Sequence, residues 1–301
     1  MVSMVNVLST EKRTAVVKAV VEGCSIRSTC RMTGVAKGTV LKLLVELGEA
    51  CSRYLDEALR DLTCKRLQAD EVWCFCYSKA RNVPASKRGE WGYGDVWTFS
   101  ATDAETKLVP CWLLGSRDGG CATEFMRDLA GRLRNRVQLT TDGLNVYVEA
   151  VEDAFGGGID YAMLQKIYGA APESPEHRYS PAECIGCKVD LISGDPAPEH
   201  VSTSYQERQH LTIHMSMRRF TRLTNAFSKK VENLAAAVAL HFMHYNFVRP
   251  HSSLRTERDN RVTPAMAAGL AERPWTVEEV IALLPPPVAK KRGPYRRKNS
   301  K

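Results

Sequence analysis

The spacing of apolar positions changes character along this chain, and the changes divide it. From Ser9 or Thr10, a plausible cap, Val16, Val17, Val20 and Val21 recur at helical spacing until Gly23. Ser25 to Met32 predicts a second short helix, Thr33-Gly34-Val35 a turn, and Lys37 to Leu47 a third helix with Val40, Leu41, Leu43 and Leu44 inward. After Cys64 strand-like runs begin: residues 67–77, then DVWTFSATD and TKLVPCWLLG, joined by the short link Asp103-Ala104-Glu105-Thr106 that favours a hairpin. GGCATEFMRDLAGRL returns to helical period, RVQLTTDG is a short strand, LNVYVEAVEDAF a helix and IDYAMLQKIYG a fifth strand. The order predicts an α/β domain, a three-strand meander followed by crossovers onto a parallel pair.

Three short helices with a Gly turn before the last form a helix-turn-helix pattern over residues 1–63, with Lys37, Gly38, Thr39 and Lys42 facing a DNA groove. A three-helix bundle that binds nothing, or binds another subunit, has the same pattern.

Residues 67–77, LQADEVWCFCY, place Asp70 and Glu71 inside an otherwise apolar strand. Asp142 closes the fourth strand in QLTTDG. If that strand lies beside the first, Asp70 and Asp142 stand together, and two close carboxylates repel unless a divalent cation neutralises them. Asp-Gly is also a common turn pair. A third acid is Glu207, in a helix predicted from Ser204 through Lys230, whose face carries Arg208, Arg218, Arg219, Arg222, Lys229 and Lys230 with no other acid. Ser204 and Glu207 also match a capping box. Glu71, by strand alternation, points to the opposite face and is not expected to be a ligand.

The formal net charge is +8, and the last thirteen residues, AKKRGPYRRKNSK, hold seven Lys or Arg and no acid. The folded part is therefore nearly neutral, and residues 289–301 are expected to be a disordered basic clamp for a polyanion. No apolar run is long enough to span a membrane and no leader pattern is visible, so a cytoplasmic protein is expected. Most of the ten cysteines read as reduced core residues. Cys184 and Cys187 form a lone CxxC in a Pro-rich insertion, residues 168–200, half of a zinc site that His177, His200 or Cys64 would have to complete. Trp91, Tyr93 and Trp97 flank the basic Lys87-Arg88 loop, where aromatic rings either stack on bases or simply pack. His241, His244 and His251 are expected to pack or hydrogen-bond, and TPAMAAGL to form a short helix.

ADEVW, TTDG and ERQHLTIHMSMRRFTRLTNAFSKK…ALHFMHYNF, in this order over roughly residues 65 to 250, resemble the transposases of the insertion-sequence-one family and its relatives. The resemblance implies an α/β, RNase H-like mixed sheet flanked by helices over 64–250, preceded by the helix-turn-helix domain and followed by a helical segment at 251–288. It implies that Asp70, Asp142 and Glu207 are a catalytic DDE triad holding two Mg²⁺ or Mn²⁺ for phosphoryl transfer. It also implies terminal inverted repeats and target DNA as partners, a homo-oligomer on paired ends, and association with a bacterial nucleoid. His210 and His214 depart from the family, which usually has Asn and a basic residue there, and the zinc finger that often precedes the family's helix-turn-helix is not visible. A neutral imidazole at 214 grips DNA less firmly than Arg. A DNA-binding repressor with an impaired core, or a structure-specific nuclease on the same fold, are the alternatives.

Overall fold

The computed structural model describes residues 8–169, 183–221, 224–256 and 258–286. Arg222, His177 and the basic tail lie outside them.

Six strands form one mixed sheet in the order β3-β2-β1-β4-β5-β6. β1 (Arg66–Cys76), β2 (Gly94–Asp103) and β3 (Trp112–Gly115) are the antiparallel meander; β4 (Gln138–Asp142) runs parallel to β1 and β5 (Asp160–Tyr168) parallel to β4. β6 (Cys184–Ser193) then returns antiparallel to β5. The last strand was not expected, because Pro-rich flanks hide a run whose side chains are mostly exposed and so carry no apolar alternation. β3 is shorter than the run TKLVPCWLLG suggests. Pro110 interrupts it, and Leu108 and Val109 are buried off the sheet, where the side chain of Asn246 accepts from the Val109 N–H and donates to its carbonyl at 3.1 and 2.9 Å.

Alternation along β1 and β2 sorts the helices. Phe99, paired with Glu71, meets Phe125 of α4 (Gly119–Ala130) and Tyr147 of α5 (Val146–Phe155) on one face. Ser100, paired with Asp70, faces α6 (Ser204–Ser216) on the other, and Trp112 beside it stacks on Phe242 of α7 (Val231–Met243). This mixed six-stranded sheet with flanking helices is consistent with an RNase H-like α/β fold.

α1 (Thr10–Val21) and α2 (Ile26–Thr33) are capped by the Ser9 and Ser25 hydroxyls, and Gly34 ends α2 at φ 68°, the left-handed conformation that glycine adopts without strain. α3 (Lys37–Ala58) continues well past Leu47. Gly48 does not break it, because it is the contact point with α7, where a Cβ would run into the backbone of Ala236. The apolar core is accordingly continuous from Val16 and Leu44 through the sheet to Leu240. Near the C-terminal end of the described chain, the short α8 (Pro264–Ala267) and α9 (Val277–Ala282) close over this core, and α9 meets α1 through a Lys18–Glu278 ion pair at 3.3 Å. Ten cysteines are free, and Cys51, Cys64, Cys74, Cys76 and Cys111 are buried.

Candidate active site

Pairing of β1 with β4 ends at Ala69 and Thr141. The next residue on each strand is a carboxylate, Asp70 and Asp142, so both stand where the β1–β4 ladder has stopped, while Asp70 remains paired with β2 and Asp142 with β5. The gap also admits Glu71. Its side chain does start on the opposite face, where Tyr147 and Arg117 donate to it, yet a ligand oxygen reaches round the open end of the ladder. Among the described residues, Asp70, Glu71 and Asp142 are the one group of three or more possible ligands whose atoms lie within 4.8 Å of one another. The expectation that alternation keeps Glu71 away from the site is thus corrected: alternation roots Glu71 on the opposite face, but beyond Ala69 no β4 residue is paired with β1 to separate its carboxylate from Asp142.

The electrostatics follow from this crowding. Burial, then the charges of Asp142 and Glu71, push the Asp70 carboxyl up to about 8, although it accepts a 2.7 Å bond from the Glu71 N–H. Glu71 and Asp142 are raised as well, first by burial. The countercharge inside the cluster is Arg117, which donates to Glu71 at 2.5 Å, stands 3.9 Å from Asp142 and lies over the Trp97 ring. Three crowded carboxylates with oxygen donors only, short of positive charge, are the donor set that a hard divalent cation such as Mg²⁺ or Mn²⁺ fits.

Glu207 stands outside that cluster of three, in the first turn of α6 and within reach of Asp70 electrostatically. The capping box with Ser204 does not form. Instead Thr203 and Lys166 donate to the Glu207 carboxylate, and these two partners outweigh burial and hold it below its ordinary range. The N-terminus of α6 is capped from the sheet: Gln68 of β1 accepts from the N–H groups of Tyr205 and Gln206 at 2.7 and 3.1 Å. Gln206 in turn donates to Ser100 and accepts from Thr102, both at 2.6 Å, and its amide meets His210 at 3.0 Å. His210 lies 3.6 Å from Asp70, but burial first, and then the charge of His214, lower it to about 4, so at neutral pH it is a neutral neighbour rather than an ion-pair partner.

α6 ends at Ser216 rather than continuing to Lys230. Met217 turns extended and is buried with Phe220, and the chain folds back so that His214 Nδ1 donates to the Phe220 carbonyl at 2.8 Å. No Gly or Pro announces this stop. Arg208 and Arg218 are exposed and Arg219 is largely enclosed, while Lys37, Thr39 and Lys42 are exposed on the first turns of α3. Cys184 and Cys187 are exposed at the start of β6 and gather no third metal ligand among the described residues: Cys64 is buried, and His200 Nδ1 is engaged by Arg66 at 2.8 Å. Tyr93 accepts a 2.6 Å bond from Lys87, whose ammonium lies over its ring, while Trp91 is exposed.

Gln68, Arg117, Tyr147, Lys166 and Gln206 were not singled out from sequence. Only the polar pair at 68 and 206, in otherwise inward-facing positions, offered a signal.

No family model matches the chain. No curated protein matches it either. Among solved structures, the crystal structure of the Mos1 mariner paired end complex with Mn is similar over 49% of this chain and 56% of that one, with 12% identity and a TM-score of 0.20. The match thus spans little more than half of that chain, and an overlap of this extent carries no argument about function. Among the described residues no helix is long and apolar enough to cross a membrane.

Proposed function

We propose that the chain is a DDE-type DNA transposase that cuts and joins DNA at the terminal inverted repeats of an insertion sequence. The observation that carries the reading is the meeting of Asp70, Glu71 and Asp142 where β1 and β4 part, with Glu207 held by α6 above the same end of the sheet. Asp70, Asp142 and Glu207 would hold Mg²⁺ or Mn²⁺, two ions per site, with Glu71 beside them. When bound, these ions supply Lewis-acid activation of water or a DNA 3′-hydroxyl and stabilise the leaving oxygen.

The chain's own residues set the platform. Gln68 and Gln206 fix α6 on the sheet and thereby the height of Glu207 above Asp70. Tyr147 and Arg117 hold Glu71, and Lys166 holds Glu207. Exposed Arg208 and Arg218, with Lys37, Thr39 and Lys42 on a helix-turn-helix, would take phosphates and base edges. Two copies on paired ends would be the working assembly.

A DNA-binding repressor on the same fold is favoured by one observation, the commitment of His214 Nδ1 to the Phe220 carbonyl. A labelled duplex carrying the element's own terminal repeat, incubated with Mg²⁺ or Mn²⁺, separates the two. Cleaved and joined products that vanish with Glu207→Gln support the transposase. DNA that is bound but never cut, even with His214→Arg, supports the repressor.

A further inference from the structure

A cavity of about 820 Å³ lies between the N-terminal helices and the segment that follows α6. It shares no residue with the carboxylate cluster. One wall is apolar, from Val20, Val21, Leu41, Met217, Phe227 and Leu240. The rest is cationic: Arg27, Lys37, Arg218, Lys229 and Lys230 are exposed around it, Arg219 is inside, and among the described residues no Asp or Glu lines it. Two buried polar atoms of the lining have no hydrogen-bond partner among the described residues, Arg219 Nη2 and His241 Nε2. The His241 residue is 6% exposed, and Arg219 keeps only a long 3.4 Å bond from Nη1 to Ser228.

A guanidinium nitrogen held out of water without a partner is costly, more so beside other cations, and an anion relieves it. Burial lowers Arg219 only to about 10, so it is charged at neutral pH, whereas buried His241, at about 3, is neutral and offers a hydrogen bond. Inorganic phosphate alone would satisfy Arg219 but leave the apolar wall wet. An apolar ligand alone would leave Arg219 unpaired. A volume of this size is typical of small-molecule sites, and Phe227, whose ring packs at 4.9 Å against Phe75 and carries the Lys229 ammonium 5.8 Å from its centroid, gives the apolar wall an aromatic edge.

We infer that this cavity takes a nucleotide, its phosphate on Arg219 and its base against the apolar wall beside Phe227. The nucleotide comes either free from solution or turned out of a DNA strand whose flanking phosphates lie along Lys37, Arg218 and Lys229; the chemistry of recognition is the same.

The test uses the full chain in EDTA, so that a failure of metal-dependent cleavage leaves it untouched. Thymidine 5′-monophosphate, thymidine and inorganic phosphate are titrated calorimetrically, and Cys24, which lines the cavity, is followed by peptide-level alkylation with exposed Cys184 and Cys187 as internal controls. The expected result is mononucleotide binding at least tenfold tighter than either fragment, protection of Cys24 alone, and a tenfold or greater loss with Arg219→Met. Arg218→Glu, at an exposed position that leaves folding intact, should cost severalfold. The sources separate with two DNA duplexes. Cys24 protection by a duplex with one unpaired thymidine, but not by its fully paired counterpart, assigns the site to DNA; protection by the mononucleotide alone assigns it to a free nucleotide. Mononucleotide binding no tighter than phosphate, indifferent to both substitutions and without Cys24 protection, overturns the inference.

Discussion

Gln68 on β1 accepts a 3.1 Å hydrogen bond from the backbone N–H of Gln206, so the helix that carries Glu207 is capped by the strand that carries Asp70. One contact therefore couples two acids that lie far apart in sequence. Gln68→Ala leaves the Tyr205 and Gln206 N–H groups without a partner and is expected to destabilise the fold by about 1–3 kcal/mol. Because α6 then loses its seat, the metal-dependent cleavage proposed for this site should fall more than stability does at a temperature where the variant is still folded. Urea titration alongside cleavage assays checks this, and a variant that is destabilised yet fully active would show that α6 is positioned by other contacts.

Asp70 should make metal-free stability depend on pH. Its carboxyl, raised to about 8 in the folded chain, keeps its proton where the unfolded chain has already released it, near its ordinary value of about 3.9. The folded state thus binds more protons between about pH 4 and 8, so the contribution is complete below that window and lost as pH rises through it. Asp70→Asn should flatten the profile and stabilise the metal-free protein near pH 8, by at most about 5 kcal/mol for a shift of this size. Denaturation in EDTA across the window measures it; parallel curves for the two proteins would mean the carboxyl is not raised.

Arg117 carries the positive charge among three carboxylates. The Glu71 side chain is only 1% exposed, so Arg117→Ala strands a buried charge, whereas Glu71→Gln with Arg117→Ala removes both. The single Arg117→Ala change should cost about 2–3 kcal/mol, discounted because Arg117 is 40% exposed, and the double change less. Added Mg²⁺ should narrow the difference by replacing the lost countercharge. A thermal-melt double-mutant cycle with and without Mg²⁺ reads all three quantities, and equal losses in the single and double variants would contradict the pairing.

Gly48→Ala tests the seam between α3 and α7. The new methyl has to displace the Ala236 backbone, which cannot give as a flexible side chain would, and a loss of about 1–3 kcal/mol is expected despite the better helix propensity of alanine. A neutral or stabilising result would mean that α3 swings free of α7, as a separately moving DNA-binding unit would.

The sequence alone determined the strand and helix order through β5, because each run shows its own period over a few residues, and it marked Asp70 because a carboxylate in an apolar strand has no local reason to be there. Even the stop of α2 is local, a left-handed Gly34. Tertiary structure decided what depended on partners distant in sequence. The β1–β4 ladder ends at Ala69 and Thr141, and only that end point lets Glu71 reach the carboxylates of the other face. α6 stops without a breaker because buried Met217 and Phe220 draw the chain back over it, and α3 runs on because Gly48 is where α7 crosses it rather than a hinge. A side chain's period is set by its neighbours in the chain; its charge partner, its cap and its packing surface are set by whatever the fold brings within a few ångströms, and no spacing in the sequence encodes that distance.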